Sequence, residues 1–262
     1  KLSDAFAIEW LDAIKDIPDI QYTYSTWRVF SIFNQYAYQA PEEGIQKYDR
    51  LIRFCIQNEL KIPEMVLRSY LADVLFHTGD REKGLEQLKI SGVPEEQKWM
   101  VIGPFDHKNG FNKKYPTEKR TDITKTDADK SQPISWQHAN DGIEDGYIDL
   151  QQIFKKYNWS VAYGLIYMNA IDKKDVQLRI GSNDAVKIWL NDEEVWKLNI
   201  GRDAIFDDDI IRVSLHPGLN KILIKVCNQI SLWGYYFRIT DDQGNGIPDI
   251  QFVSADALKE NR

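Results

Sequence analysis

Four histidines, two cysteines and 40 acidic side chains are the groups from which a catalytic or metal site could be built. The histidines are His77, His107, His138 and His216, and no two stand at the helical spacing of an HExxH zinc site. Cys55 and Cys227 belong to no CxxC or Cys/His cluster. Both sit in apolar periodic stretches, where a free thiol acts as a small hydrophobe and not as an activated nucleophile. There is no GxSxG elbow and no phosphate-binding loop. Gly244-Asn245-Gly246 lacks the third glycine and the strand-to-helix setting of a dinucleotide fingerprint. Two acidic segments could hold a hard cation. One is Asn183-Asp184 at a strand turn; the other is Asp207-Asp208-Asp209, whose carboxylates repel unless a cation or solvent separates them. The expectation is at most one calcium ion, at Asn183 and Asp184 with help from Asp207, Asp208 and Asp209, and no other cofactor. A solvated turn is the default explanation for either segment. Asp241 to Asp249 has the outline of a calcium loop, but Phe252 stands where the bidentate glutamate belongs, so a β-turn is the better description.

The aromatic signal is stronger. Eight tryptophans and 13 tyrosines supply flat faces that stack on the CH surface of sugars or on partner side chains. Trp99, Trp189 and Trp233 fall within strand patterns and read as core. Trp136 and Trp196 fall in or beside polar loops. With Arg202, whose planar fork of donors suits vicinal hydroxyls or a carboxylate, they form the expected ligand platform. A loop tryptophan folded back over the edge of a sheet explains the same pattern. The expected activity is therefore binding without catalysis, toward a glycan or a protein. A purely structural scaffold, and a piece of a larger exported hydrolase or transglutaminase-like protein, are the competing readings.

The elements that must position these groups follow two periodicities. From Ser3 to about Ile90 apolar residues recur at three and four, which is helical. A first helix carries Phe6, Trp10, Leu11 and Ile14 and closes before Pro18. A second spans Tyr22 to Gln39, Pro41 opens a third, Pro63 a fourth, and a short fifth follows Gly79-Asp80. After Gly92-Val93-Pro94 the pattern alternates by two in short runs bounded by Asn, Asp, Gly and Pro. Strands are expected at 98–105, 160–170, 175–182, 185–191, 194–199, 209–215, 220–228 and 233–240. Eight short strands without crossover helices imply an antiparallel sandwich. The fold class is α+β in two domains, helical over 1–94 and a β-sandwich or jelly roll over 95–262, the latter interrupted by a long polar loop at 106–146. The formal charge of −7 argues against nucleic acid as partner, and no apolar run is long enough for a membrane span. Oligomeric state is not legible.

Two resemblances carry these expectations further. Leu71-Ala72, Leu75, Gly79-Asp80, Gly84, Leu88 and Pro94 resemble a tetratricopeptide helix pair, in which small residues let two helices approach closely, and Pro41 to Ile45 echoes Arg81 to Leu85. Trp99 to Phe105 (WMVIGPF), Gly110-Phe111, Tyr115-Pro116, Glu118, Trp136 and Gly146 to Leu150 resemble the opening of a bacterial galactose-binding-like β-sandwich module. Leu178 to Asn191 (LRIGSNDAVKIWLN) and Trp233 to Asp241 (WGYYFRITD) resemble its later hairpin and final strand. That resemblance covers about residues 98 to 245. It implies an accessory, carbohydrate-binding-type module of an exported bacterial protein, periplasmic or secreted. Asn183-Asp184 is similar to the paired Asp-Asp of protective-antigen-type sugar-binding sandwiches, in which calcium bridges carboxylates and sugar hydroxyls, although the first Asp is Asn here.

Overall fold

A computed structural model describes residues 4–15, 34–107, 109–119, 121–125, 127–129, 132–140, 146–155, 158–230 and 232–258. The expected second helix lies partly outside them; its described part, residues 34–39, is helical. Helix α1 (Asp4–Ile14) is followed by α2 (Pro41–Gln57), α3 (Lys61–His77) and α4 (Arg81–Ser91). Pro41 opens α2, since proline's missing N–H falls where no intrahelical acceptor exists. Tyr48, Leu51, Ile52 and Cys55 then form its buried stripe. Helix α3 begins two residues before Pro63, because a proline is also tolerated later in the first turn. It lies at the centre of the helical layer and is buried along most of its length. A Cβ on Gly84 would lie 2.7 Å from the Phe76 ring, so α4 approaches α3 more closely than any other residue there allows. Gly92 ends α4 in the left-handed conformation at φ +75°, with its own N–H and that of Val93 donating to the carbonyls of Lys89 and Leu88.

The remaining chain forms β1 (Met100–Asp106), β2 (Asp127–Asp129), β3 (Gln132–Ile134), β4 (Gln137–His138), β5 (Tyr147–Asp149), β6 (Ser160–Ala170), β7 (Lys174–Asn183), β8 (Ala185–Leu190), β9 (Glu193–Leu198), β10 (Asp209–Leu215), β11 (Gly218–Asn228), β12 (Gly234–Thr240) and β13 (Gln251–Val253). All eight expected strands are present within one or two residues at either end. Two main antiparallel sheets result, one ordered β4-β1-β6-β11-β8-β9 with β13 also on β6, the other β10-β7-β12-β5, and β2 pairs with β3 in a separate two-stranded ribbon. Period-two alternation decides what each face meets. Ile166, Val186, Ile188, Ile222 and Ile224 of the larger sheet interdigitate with Val176, Leu178, Ile180, Tyr235 and Phe237 of the smaller, around Trp99 and Trp233.

Both outer faces are covered. Tyr236 of β12 packs with Ala204, Phe206 and Val93 into the same apolar cluster as the helices, so the helical layer lies on the four-stranded sheet. On the other side the polar segment after β1 folds back over the larger sheet, and its sparse anchors Tyr115, Ile134 and Trp136 bury against Met100, Ile102, Tyr163, Leu165 and Leu223.

Candidate functional site

The expected platform residues are not brought together. Trp196 pairs opposite Ile188 on β8, and a bulge at that point turns both Val195 and Trp196 onto the inner core, where Trp196 is half-buried. Trp136 lies buried on the opposite face of the same sheet, beneath the covering segment. A whole sheet separates the two rings. Arg202 is engaged as well: it pairs with Asp208 at 2.7 Å and with Asp209, and donates to Ser182 Oγ at 3.2 Å.

The acidic segment expected to help hold calcium is engaged by arginines. Asp207 is buried between two guanidiniums, accepting from Arg179 Nη1 at 2.7 Å and from Arg238 Nε at 2.6 Å. Burial alone would raise its pKa, but Arg238 and Arg179 overcome that and hold it low. Asp208 is pushed upward by burial and by Asp209, against the pull of Arg202. Arginines thus supply the positive charge for which calcium was expected at 207–209. Asn183 Oδ1 accepts from the Tyr147 hydroxyl at 2.7 Å. Among the described residues no three His, Cys, Asp or Glu side chains gather as a metal site. Both thiols are buried and their pKa values raised by that burial, Cys227 to about 12, which keeps them protonated at neutral pH.

A different site lies at the end of the sandwich where β1 finishes, β6 starts, β7 turns into β8 and β11 finishes. Asp184 ties three connections there. Its Oδ1 accepts from Arg202 N at 3.1 Å and its Oδ2 from Gln229 N at 2.9 Å, so the β7–β8 turn fixes the loops after β9 and β11. Next to Gln229 stands Trp159, 55% exposed and the most exposed of the described tryptophans. Its backbone N–H donates to Gln229 O at 2.8 Å and its carbonyl accepts from His107 N at 3.0 Å. These bonds hold it at φ +53°, a conformation an aromatic residue seldom adopts and one that clusters at functional positions. The His107 ring meets the indole edge-on at 5.5 Å. Burial lowers the His107 pKa, opposed by the charges of Asp184 and Asp106, so the ring is neutral at pH 7. Exposed Ile200, Ile230 and Leu232 belong to the loops of the same end.

Trp159 is not among the aromatic residues that the sequence singles out, because it stands one residue before the apolar strand expected at 160–170 and outside the long polar loop. The signal available was the pair Asn158-Trp159 after Lys155-Lys156-Tyr157: a tryptophan still on the polar side of the strand boundary.

No protein-family model and no curated protein matches the chain. Solved structures give distant overlaps. The PA14 domain of the MpAFP antifreeze protein aligns at 12% identity over 36% of this chain and 52% of that one, with a TM-score of 0.30. A family 35 carbohydrate binding module from an environmental isolate aligns at 14% identity over 36% of this chain and 72% of that one, TM-score 0.27. The epithelial adhesin 9 A domain from Candida glabrata, solved in complex with Galb1-4GlcNAc, aligns at 10% identity over 62% of this chain and 91% of that one, TM-score 0.32. The chain therefore spans about half the length of the antifreeze-protein domain it resembles. At such scores the sandwich architecture rests on its own strand pairing.

Proposed function

We propose that this chain is a non-catalytic carbohydrate-recognition protein of an extracytoplasmic, bacterial setting, in which a galactose-binding-like sandwich (95–262) is braced by a tetratricopeptide-like helical unit (1–94). The observation that carries the reading is Trp159. A large aromatic face stands half in solvent on a hydrogen-bonded backbone that is tied to Gln229, whose own N–H donates to the Asp184 carboxylate. Pre-fixed aromatic geometry of this kind lowers the ordering cost of binding. With His107 neutral and Asp106 and Asp184 nearby, the charge of the site suits an uncharged sugar and disfavours a uronate.

A glycan array followed by titration of tryptophan fluorescence tests this, run with calcium and with chelator. Binding of a neutral glycan that Trp159→Ala removes, with an unchanged melting curve, supports the reading. Identical affinity in calcium and in chelator would dismiss the ion at Asn183-Asp184. A second reading has its own observation: Ile200, Ile230 and Leu232 give this end an apolar rim that suits a protein partner or a scaffold role better than a sugar. An array without any hit, combined with concentration-dependent association abolished by Ile230→Ser, would replace the first reading by the second.

A further inference from the structure

At the far end of the sandwich the last turn of α4 and the linker to β1 meet the connection between β12 and β13. This seam is fixed by three bonds: Ile239 N donates to Gly92 O at 2.9 Å, Gly246 N to Ile90 O at 2.8 Å, and Arg238 Nη1 to Ser91 O at 3.0 Å. The approach is so close that a Cβ on Gly92 would lie 2.0 Å from Ile239 O and one on Gly246 2.3 Å from Lys89 O. Beside this rigid seam lies a cavity of about 320 Å³, walled by Leu85, Leu88, Ile247 and Phe252 and flanked by Lys89 and Lys98. Its size is at the lower bound for small-molecule sites, which favour junctions between structural units and combine apolar walls with a few polar groups.

The charges at this cavity are unbalanced. Glu95 also lines it, but Arg81 stands 3.6 Å from that carboxylate and Gln97 donates to it. Lys89 and Lys98 have no ion-pair partner among the described residues. In a chain with a formal charge of −7, two lysines without an acidic partner lining a partly apolar cavity offer a place for a negative group attached to a hydrophobic body.

We propose that the seam cavity binds a small amphipathic anion, its apolar body between Leu85, Leu88, Ile247 and Phe252 and its carboxylate or sulfonate at Lys89 and Lys98. The ligand touches helix and sandwich together, so its occupancy strengthens the joint between them. The probe is 8-anilinonaphthalene-1-sulfonate added to the full chain at neutral pH and 0.15 M salt, with 4-phenylbutyrate as competitor and circular dichroism confirming the native state. The expected result is saturable one-to-one fluorescence enhancement that 4-phenylbutyrate displaces. Lys89→Glu/Lys98→Glu, two substitutions that leave the apolar walls intact, weakens binding at least tenfold, and the cavity-filling Leu85→Trp abolishes it. Trp159→Ala leaves it unchanged, which separates this site from the carbohydrate reading. Absence of binding by the native chain, or binding of equal strength in the lysine double variant, overturns the proposal.

Discussion

The sandwich has two covered faces, and each cover is fastened by a buried charge, yet the two fasteners are built differently. Under the helices, Asp207 sits between Arg179 and Arg238, and Arg238 reaches on to the carbonyls of Ser91 and Gly244. Under the polar segment, Lys225 donates to Glu118 Oε1 at 2.8 Å and to Lys113 O at 2.7 Å, while the Tyr163 hydroxyl donates to the same Glu118 oxygen at 2.6 Å. Titration separates them. The partners of Asp207 overcome burial and keep its pKa low, whereas burial outweighs Glu118 at Lys225 and lowers the lysine's pKa. The carboxylate under the helices is therefore compensated by its partners, whereas the ammonium under the polar segment is buried beside partners that do not offset its desolvation. One bidentate guanidinium, Arg238, and a second singly bonded one, Arg179, compensate one carboxylate better than one carboxylate and two carbonyls compensate an ammonium.

That contrast can be broken by experiment. Asp207→Ala leaves two arginines buried without their anion and is expected to cost about 3–5 kcal/mol in urea unfolding, the largest effect in the molecule. A cost under about 1 kcal/mol would show that the seam does not depend on it. Lys225→Met should cost less, about 2 kcal/mol, because it also removes the desolvation burden of the ammonium and the small hydrophobe fits beside Tyr115 and Tyr163. Hydrogen exchange should then rise in residues 109–119 and stay unchanged in α3. Equal loss of protection in both would mean that the two covers are one cooperative unit.

The pH response sharpens the comparison further. Asp207 has a folded pKa below its unfolded value, so the unfolded chain binds more protons in acid. Its contribution is present above the ordinary carboxylate range and lost as pH falls through the folded pKa. Lys225 also has a folded pKa below its unfolded value, so stability gains with rising pH between that value and the ordinary lysine range. Asp207→Asn should flatten the acid limb and Lys225→Met the alkaline one, each seen in melting temperature against pH. The smallest effect belongs to the uncovered end. Trp159→Ala should change stability by less than about 0.5 kcal/mol, since half of that side chain already stands in water. A loss of several kcal/mol would make the ring part of the core and remove it as a ligand surface.

The strands are legible because period-two alternation acts locally, and β7 and β8 match the spans expected at 175–182 and 185–191 to within one residue. The facing of Trp196 was not, because one bulged residue at Val195 inverts the side expected from alternation. The fate of Asp207 was hidden by sequence distance: its partners lie 28 and 31 positions away, on two strands that meet only in the folded sheet. Likewise the segment at 106–146 reads in the sequence as a long polar loop, since its anchors Tyr115, Ile134 and Trp136 are too sparse to make a period.

The pairing of β13 with β6 places Phe252 opposite Met168, at the other end of the strand that begins beside Trp159. At about 3.3 Å per residue, nine strand positions set the indole and the seam cavity roughly 30 Å apart. The sandwich is thus a stiff spacer with two separately addressable tips. A bulky ligand at one tip would leave the other open to solvent, and a pair of labels attached at positions 159 and 252 would form a ruler that reports deformation of the sheet between them.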